Sequence, residues 1–75
     1  MWKEGAIKVG GSWFHYWLKV YDEPSCYGID EGRISKLRIE RKGMVVCNYD
    51  RGWVVEPVDE DAQAALQILL FSENN

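Results

Sequence analysis

His15, Cys26 and Cys47 are the chain's only imidazole and thiol groups. A tetrahedral zinc site needs four ligands, and these three show neither C-x-x-C nor H-x3-H spacing. A fourth ligand would have to come from an acid or from a second copy. A cysteine–histidine nucleophile pair would set Cys26, in a loop, against His15 on the outer face of a strand. The sequence context that supports either chemistry is missing, so the expectation is a surface histidine and two ordinary thiols. Cys26 and Cys47 are therefore expected to be reduced and metal-free, with no catalytic residue and no cofactor.

The stretch DEPSCYGIDEGRIS, Asp22 to Ser35, is the other place where ligand chemistry could sit. It brings Asp22, Glu23, Asp30 and Glu31 together around Pro24, Gly28 and Gly32. An EF-hand loop needs oxygen ligands at alternate positions, but here Pro24 and Cys26 take such positions and no helices flank the segment. A phosphate loop needs four residues between its glycines and a following Lys before a helix. Gly28 and Gly32 are closer together than that, and Arg33 opens a strand. The glycines are expected to let the chain turn, while the acids cap amides or stay solvated. No pair of carboxylates stands out for acid–base work.

Seventy-five residues make one domain, 1–75, of a size where a single core just suffices. With 47% hydrophobic and 28% charged residues the composition is that of an ordinary folded protein. Four Trp, four Tyr and two Phe give a high aromatic load, which serves a small core and also serves interfaces. The net charge of −3 weighs against a non-specific nucleic-acid binder. Behind Met1-Trp2-Lys3-Glu4 there is no apolar segment of signal-peptide type. The longest apolar run, Ala64–Phe71, is too short for a membrane span. The expected setting is the cytoplasm.

The elements that carry these groups can be read from patterning. WKEGAIKVGGSWFHYWLKVYD predicts a hairpin about Gly10-Gly11, with Val9 opposite Ser12, Ile7 opposite Phe14 and Lys3 opposite Leu18. Ile7, Val9, Phe14, Tyr16, Leu18 and Val20 then face a core. RISKLRIERKGMVVCNYD predicts a second hairpin about Lys42-Gly43. A two-residue turn there puts Leu37, Ile39, Met44 and Val46 inward, and Glu40, Val45, Cys47 and Tyr49 outward. A three-residue turn would shift one strand, which leaves Val45 and Val46 open. Asp50-Arg51-Gly52 suits a loop with its glycine in the left-handed region, followed by a short strand, Trp53–Glu56, ended by Pro57. Asp59 is the expected N-cap of a helix to Phe71, with Ala62, Ala65, Leu66, Leu69 and Leu70 against the sheet. Ser72–Asn75 are expected to fray. The fold class is α+β: an antiparallel sheet of four to five strands with a C-terminal helix on one face.

The outer sheet face is the most informative surface. It carries Trp2, Trp13, Trp17 and Tyr21 with Lys8, Lys19, Lys36 and Arg38. Cross-strand packing and cation–π contacts alone would make it a solvated face. A row of uncovered Trp is also what a binding patch looks like. Trp2, Trp13, Trp17, Lys19, Tyr21, Lys36 and Arg38 are the candidate partner-binding residues. Ala64, Ile68 and Phe71 widen the helix stripe and are candidates for a homodimer contact. Aromatic–basic interleaving also suits single-stranded nucleic acid, against which the acidity and the absence of any RNP-like pattern count.

VYDEPSCYGIDEGRISKLRI, followed by NYDRGWVVEP and a short helix, resembles a family of small uncharacterised proteins of Firmicutes-type bacteria and their phages. The resemblance covers roughly Trp2 to Leu70 and carries over no catalytic residue. It implies a phage or mobile-element setting, in the cytoplasm of a bacterial host. Compact acidic proteins in that setting are often inhibitors of host defence, including anti-CRISPR proteins. The expected function is thus a non-enzymatic protein-binding module. The alternatives are a structural homodimer and a small single-stranded nucleic-acid-binding regulator.

Overall fold

The computed structural model of the protein describes residues 2–74. Its elements are β1 (Trp2–Val9), β2 (Ser12–Val20), a 3-10 turn (Ile29–Glu31), β3 (Ile34–Arg41), β4 (Met44–Asp50), β5 (Trp53–Val55) and α1 (Glu60–Glu73). The strands form one antiparallel sheet in the order β1-β2-β3-β4-β5, with α1 packed on one face. The α+β architecture expected from the sequence is therefore the one observed.

Gly10 and Gly11, at φ of 59° and 83°, make the primed turn that matches strand twist. β1 and β2 then pair without interruption from Val9↔Ser12 to Trp2↔Lys19, in the register the two-face pattern predicts. Phe14, Leu18 and Val20 are buried, and Ile7, Val9 and Tyr16 pack against them. Ala62, Ala65, Leu66 and Leu69 of α1 close the core over Leu37 and Ile39. Asp59 caps the helix as expected, its carboxylate accepting from the Ala62 N–H at 2.8 Å. The same carboxylate accepts from Arg41 at 2.6 Å, and the Arg41 guanidinium lies 5.2 Å from the centre of the Phe14 ring.

The second hairpin corrects the sequence reading. Lys42 and Gly43, at φ of 53° and 77°, do form a two-residue turn, with Arg41 opposite Met44 and Glu40 opposite Val45. The next pair is Ile39 with Cys47, so Val46 is an extra residue, a β-bulge. Beyond it the alternation inverts. Cys47 and Tyr49, expected outward, are buried, and Asn48 takes the outward position. Val46 is buried, whereas Met44, expected inward, is 71% exposed beside the turn. Val45-Val46-Cys47 contains no polar residue to fix a strict alternation, and the bulge lets both Val46 and Cys47 enter the core.

Three local expectations change as well. In the Asp50–Gly52 loop the left-handed residue is Arg51, at φ 60°, not Gly52; the Arg51 N–H donates to the Ser35 carbonyl at 3.2 Å and ties the loop to β3. Gly28 and Gly32 sit at bends of the loop and close its turns, the Gly28 N–H donating to the Ser25 carbonyl and the Gly32 N–H to the Ile29 carbonyl, but at negative φ; the left-handed residues here are Asp30 and Glu31. A Cβ on Gly28 would collide with the Gly32 carbonyl, and one on Gly32 with the Asn74 side chain. Ser72 and Glu73, expected to fray, continue the helix. Asn74 follows as its C-cap and docks on the loop: its side chain donates to the Ile29 carbonyl and accepts from the Ile34 N–H, both at 2.8 Å. Asn75 lies outside the described residues.

Candidate interaction surface

On β2, the two-residue repeat of a strand sends Trp13, His15, Trp17 and Lys19 to the side away from the helix. Trp2 pairs opposite Lys19, Arg38 opposite Trp17, and Lys36 opposite Lys19. Just beyond β2, Tyr21 joins them, since the Lys19 ammonium lies 5.9 Å from the Trp2 ring centre and 5.5 Å from that of Tyr21. All the partner-binding candidates named from sequence therefore share one side of the sheet. Trp13 stands apart from the others, separated from Trp17 along β2 by His15.

The two kinds of Trp on this side differ. Trp2 and Trp13 are 60% and 62% exposed. Trp17 is half-buried: His15 stacks on it at 4.3 Å between ring centres, and the Arg38 guanidinium lies 4.6 Å from its centre. His15 is in turn within 2.7 Å of the Glu4 carboxylate. Between Trp2, Trp17, Lys36, Arg38, Asn48 and Asp50 lies an open depression of about 360 Å³. Sequence reasoning missed Asn48 and Asp50 because the bulge at Val46 is what turns Asn48 outward.

Two of the cations on this side, Arg38 and Lys36, have carboxylate neighbours. Arg38 lies 3.2 Å from Glu40, and Lys36 lies 3.7 Å from Asp50. Lys19 is different, because its ammonium sits between two rings with no carboxylate within 4 Å among the described residues. Ring faces attract a cation without neutralising it. The Tyr21 hydroxyl is held below the usual phenol range, first by its hydrogen bond with Ser35 and then by the Lys19 charge. The site thus offers flat apolar rings with a positioned cation between them.

The helix stripe divides. Ala64 is half-buried, Ile68 is 46% exposed and Phe71 is 85% exposed. Phe71 borders a groove of about 470 Å³ with Pro24, Asp30, Glu31 and Leu70. Ile68 lies two turns beyond Asp61, whose carboxylate stands over the Gly10 turn. That places Ile68 toward the β1 end of the sheet rather than the loop.

Cys26 is exposed and Cys47 is buried, both as free thiols. Burial pushes the Cys47 thiol up to about 12. No group of three His, Cys, Asp or Glu side chains among the described residues is placed to hold a metal ion. No helix among them is long and apolar enough to cross a membrane.

The chain belongs to a domain-of-unknown-function family, DUF7678, whose model matches residues 1–74. The expected membership of an uncharacterised family is thus met. No match to the chain is found among the curated proteins or among the solved structures.

Proposed function

We propose that this protein is a non-enzymatic binding module that docks a protein partner on its outer sheet face. The observation that carries this reading is the exposure of Trp2 and Trp13, at 60% and 62%, on a face that the helix leaves uncovered. Large indoles left in water are disfavoured unless something covers them, and Trp is enriched among the anchors of interfaces. Lys19 adds a cation that the Trp2 and Tyr21 rings already position, so docking needs little further ordering of that side chain. The matching partner surface is apolar with an acidic group opposite Lys19.

The non-enzymatic reading rests on the state of the nucleophile candidates. Cys26 is an exposed loop thiol, whereas His15, the one imidazole that could activate it, is engaged by Glu4 and Trp17 on the outer sheet face, and the Cys47 thiol is buried in the core. Single-stranded nucleic acid is the weaker reading for this face. Arg38 and Lys36 already have carboxylate neighbours in Glu40 and Asp50, which leaves little positive field for phosphates. In the bacterial or phage setting implied by the sequence resemblance, the partner would be a host protein in the cytoplasm. A component of a defence system, inhibited in anti-CRISPR fashion, is the specific form of that reading.

Affinity capture from a bacterial host, with wild type beside a Trp2→Ala/Trp13→Ala variant, tests it. Truncating interface anchors costs on the order of 2 kcal/mol each, enough to lose the partner. A folded double variant that retains the partner at full yield would remove the outer face from consideration.

A further inference from the structure

The two edges of the sheet are unlike each other. β5 is short, its pairing with β4 is shifted between Asn48 and Tyr49, and Pro57 follows it. β1 runs the full length from Trp2 to Val9 with no proline and no shift in its register. It is a long, regular edge whose outward N–H and C=O groups have no strand beside them. Such an edge is a template for another strand unless its side chains prevent it.

Which backbone groups face outward follows from the hairpin. A two-residue turn closes on a hydrogen-bonded pair, here Val9 with Ser12, and bonded pairs alternate from there. Ile7, Gly5 and Lys3 therefore bond to β2, and Glu4, Ala6 and Lys8 direct their N–H and C=O groups to the open edge. Their side chains lie on the outer face, and all three residues are exposed.

We infer that β1 pairs antiparallel with β1 of a second copy, centred on Ala6. In this arrangement Ala6 lies opposite Ala6 of the second copy, and Glu4 lies opposite Lys8 in both directions. Each dimer thus gains two cross-strand ion pairs, both between residues whose backbone bonds face the partner, with the Glu4 carboxylate shared between Lys8 of the second copy and His15, which lies 2.7 Å from it within the chain. Sliding the register by two residues one way sets Trp2 against Lys8 and Glu4 against Ala6. Sliding it the other way sets Ala6 against Lys8. Only the Ala6-centred register matches the charges, so the lysine that would otherwise guard the edge selects one pairing. Lys3, on the opposite face, is held away by Glu73 at 2.6 Å.

A second observation agrees. A two-fold axis through the paired Ala6 residues leaves both helices on one face of the joined sheet, with their β1 sides toward each other. Ile68 lies on that side and is 46% exposed, with half-buried Ala64 one turn before it. The homodimer contact placed on the helix from sequence thus becomes a flank of a strand-mediated interface, with Phe71 excluded from it. The two outer faces meet along the new strand pair, which would present the docking surface twice.

Sedimentation equilibrium of wild type, Glu4→Lys, Lys8→Glu and the double exchange tests this pairing. The wild type is expected to be a dimer of the 8.7 kDa chain. Either single exchange should weaken it about tenfold or more, and the double exchange should restore it. Ala6→Pro, which loses only an outward N–H, should also give a monomer with an intact fold. A wild type that stays monomeric, a dimer indifferent to the single exchanges, or a double exchange that fails to restore it would each overturn the assignment.

Discussion

The Arg38 guanidinium lies 4.6 Å from the centre of the Trp17 ring, on the strand next to it. His15 stacks on the same ring. Trp17 is therefore part of the scaffold of the outer face, and Trp2 and Trp13 are the rings free to meet a partner. Trp17→Ala should lower stability by about 1–2 kcal/mol, through lost ring contacts on both neighbours. Trp13→Ala should change it by no more than about 0.5 kcal/mol. Urea unfolding of the two variants checks the difference, and equal losses would mean that the rings have equivalent roles.

Asn74 joins the end of the chain to the loop. Its side chain bonds both the Ile29 carbonyl and the Ile34 N–H, and its carbonyl accepts from the Arg33 N–H at 3.2 Å. Asn74→Asp keeps the acceptor but removes the donor, leaving a carboxylate against the Ile29 carbonyl. It should cost about 1–3 kcal/mol, measured by thermal or urea unfolding. A neutral result would return this residue to a frayed tail.

Burial raises the Cys47 thiol from its ordinary 9.0 to about 12. A thiol that stays protonated longer when folded contributes stability that is complete below pH 9 and is lost as pH rises toward 12. Stability should therefore fall across that range, and Cys47→Ala should flatten the fall while costing packing at neutral pH. At neutral pH a thiol reagent should label Cys26 in the native protein, and Cys47 only on unfolding.

Asp59 is shifted the other way, held below its usual 3.8 by the hydrogen bond from Arg41 and then by that from the Ala62 N–H. Its stabilising contribution is present above the unfolded pKa and disappears as pH falls through the lower, folded one. Asp59→Ala should be less stable than wild type at neutral pH, with the two converging in acid. A gap that persists unchanged to low pH would assign the loss to something other than the carboxylate's charge.

Much of this structure was legible because local signals agreed with one another. Gly10-Gly11 set a turn that made both faces of the first hairpin coherent, and Asp59 marked the helix start. The second hairpin was legible only as far as its turn. Val45-Val46-Cys47 offered no polar residue to choose a face, so the bulge that buries Cys47 and Tyr49 depends on packing across the core. The same bulge hid Asn48 from the outer face. Gly28, Gly32 and Asn74 were also opaque, since the contact that explains them joins residues far apart in the chain. The row from Trp13 to Lys19, carried by uninterrupted alternation, was readable from the start.

Photo-crosslinking inside a bacterial host tests the docking surface most directly. A photoreactive amino acid would replace Trp13 in one variant and Phe71 in another, on opposite faces of the molecule. A partner docked on the outer sheet face should be trapped as a heterologous adduct from position 13 and not from position 71. Trapping from position 71, with none from position 13, would contradict the account and move the interface to the helix and its acidic groove.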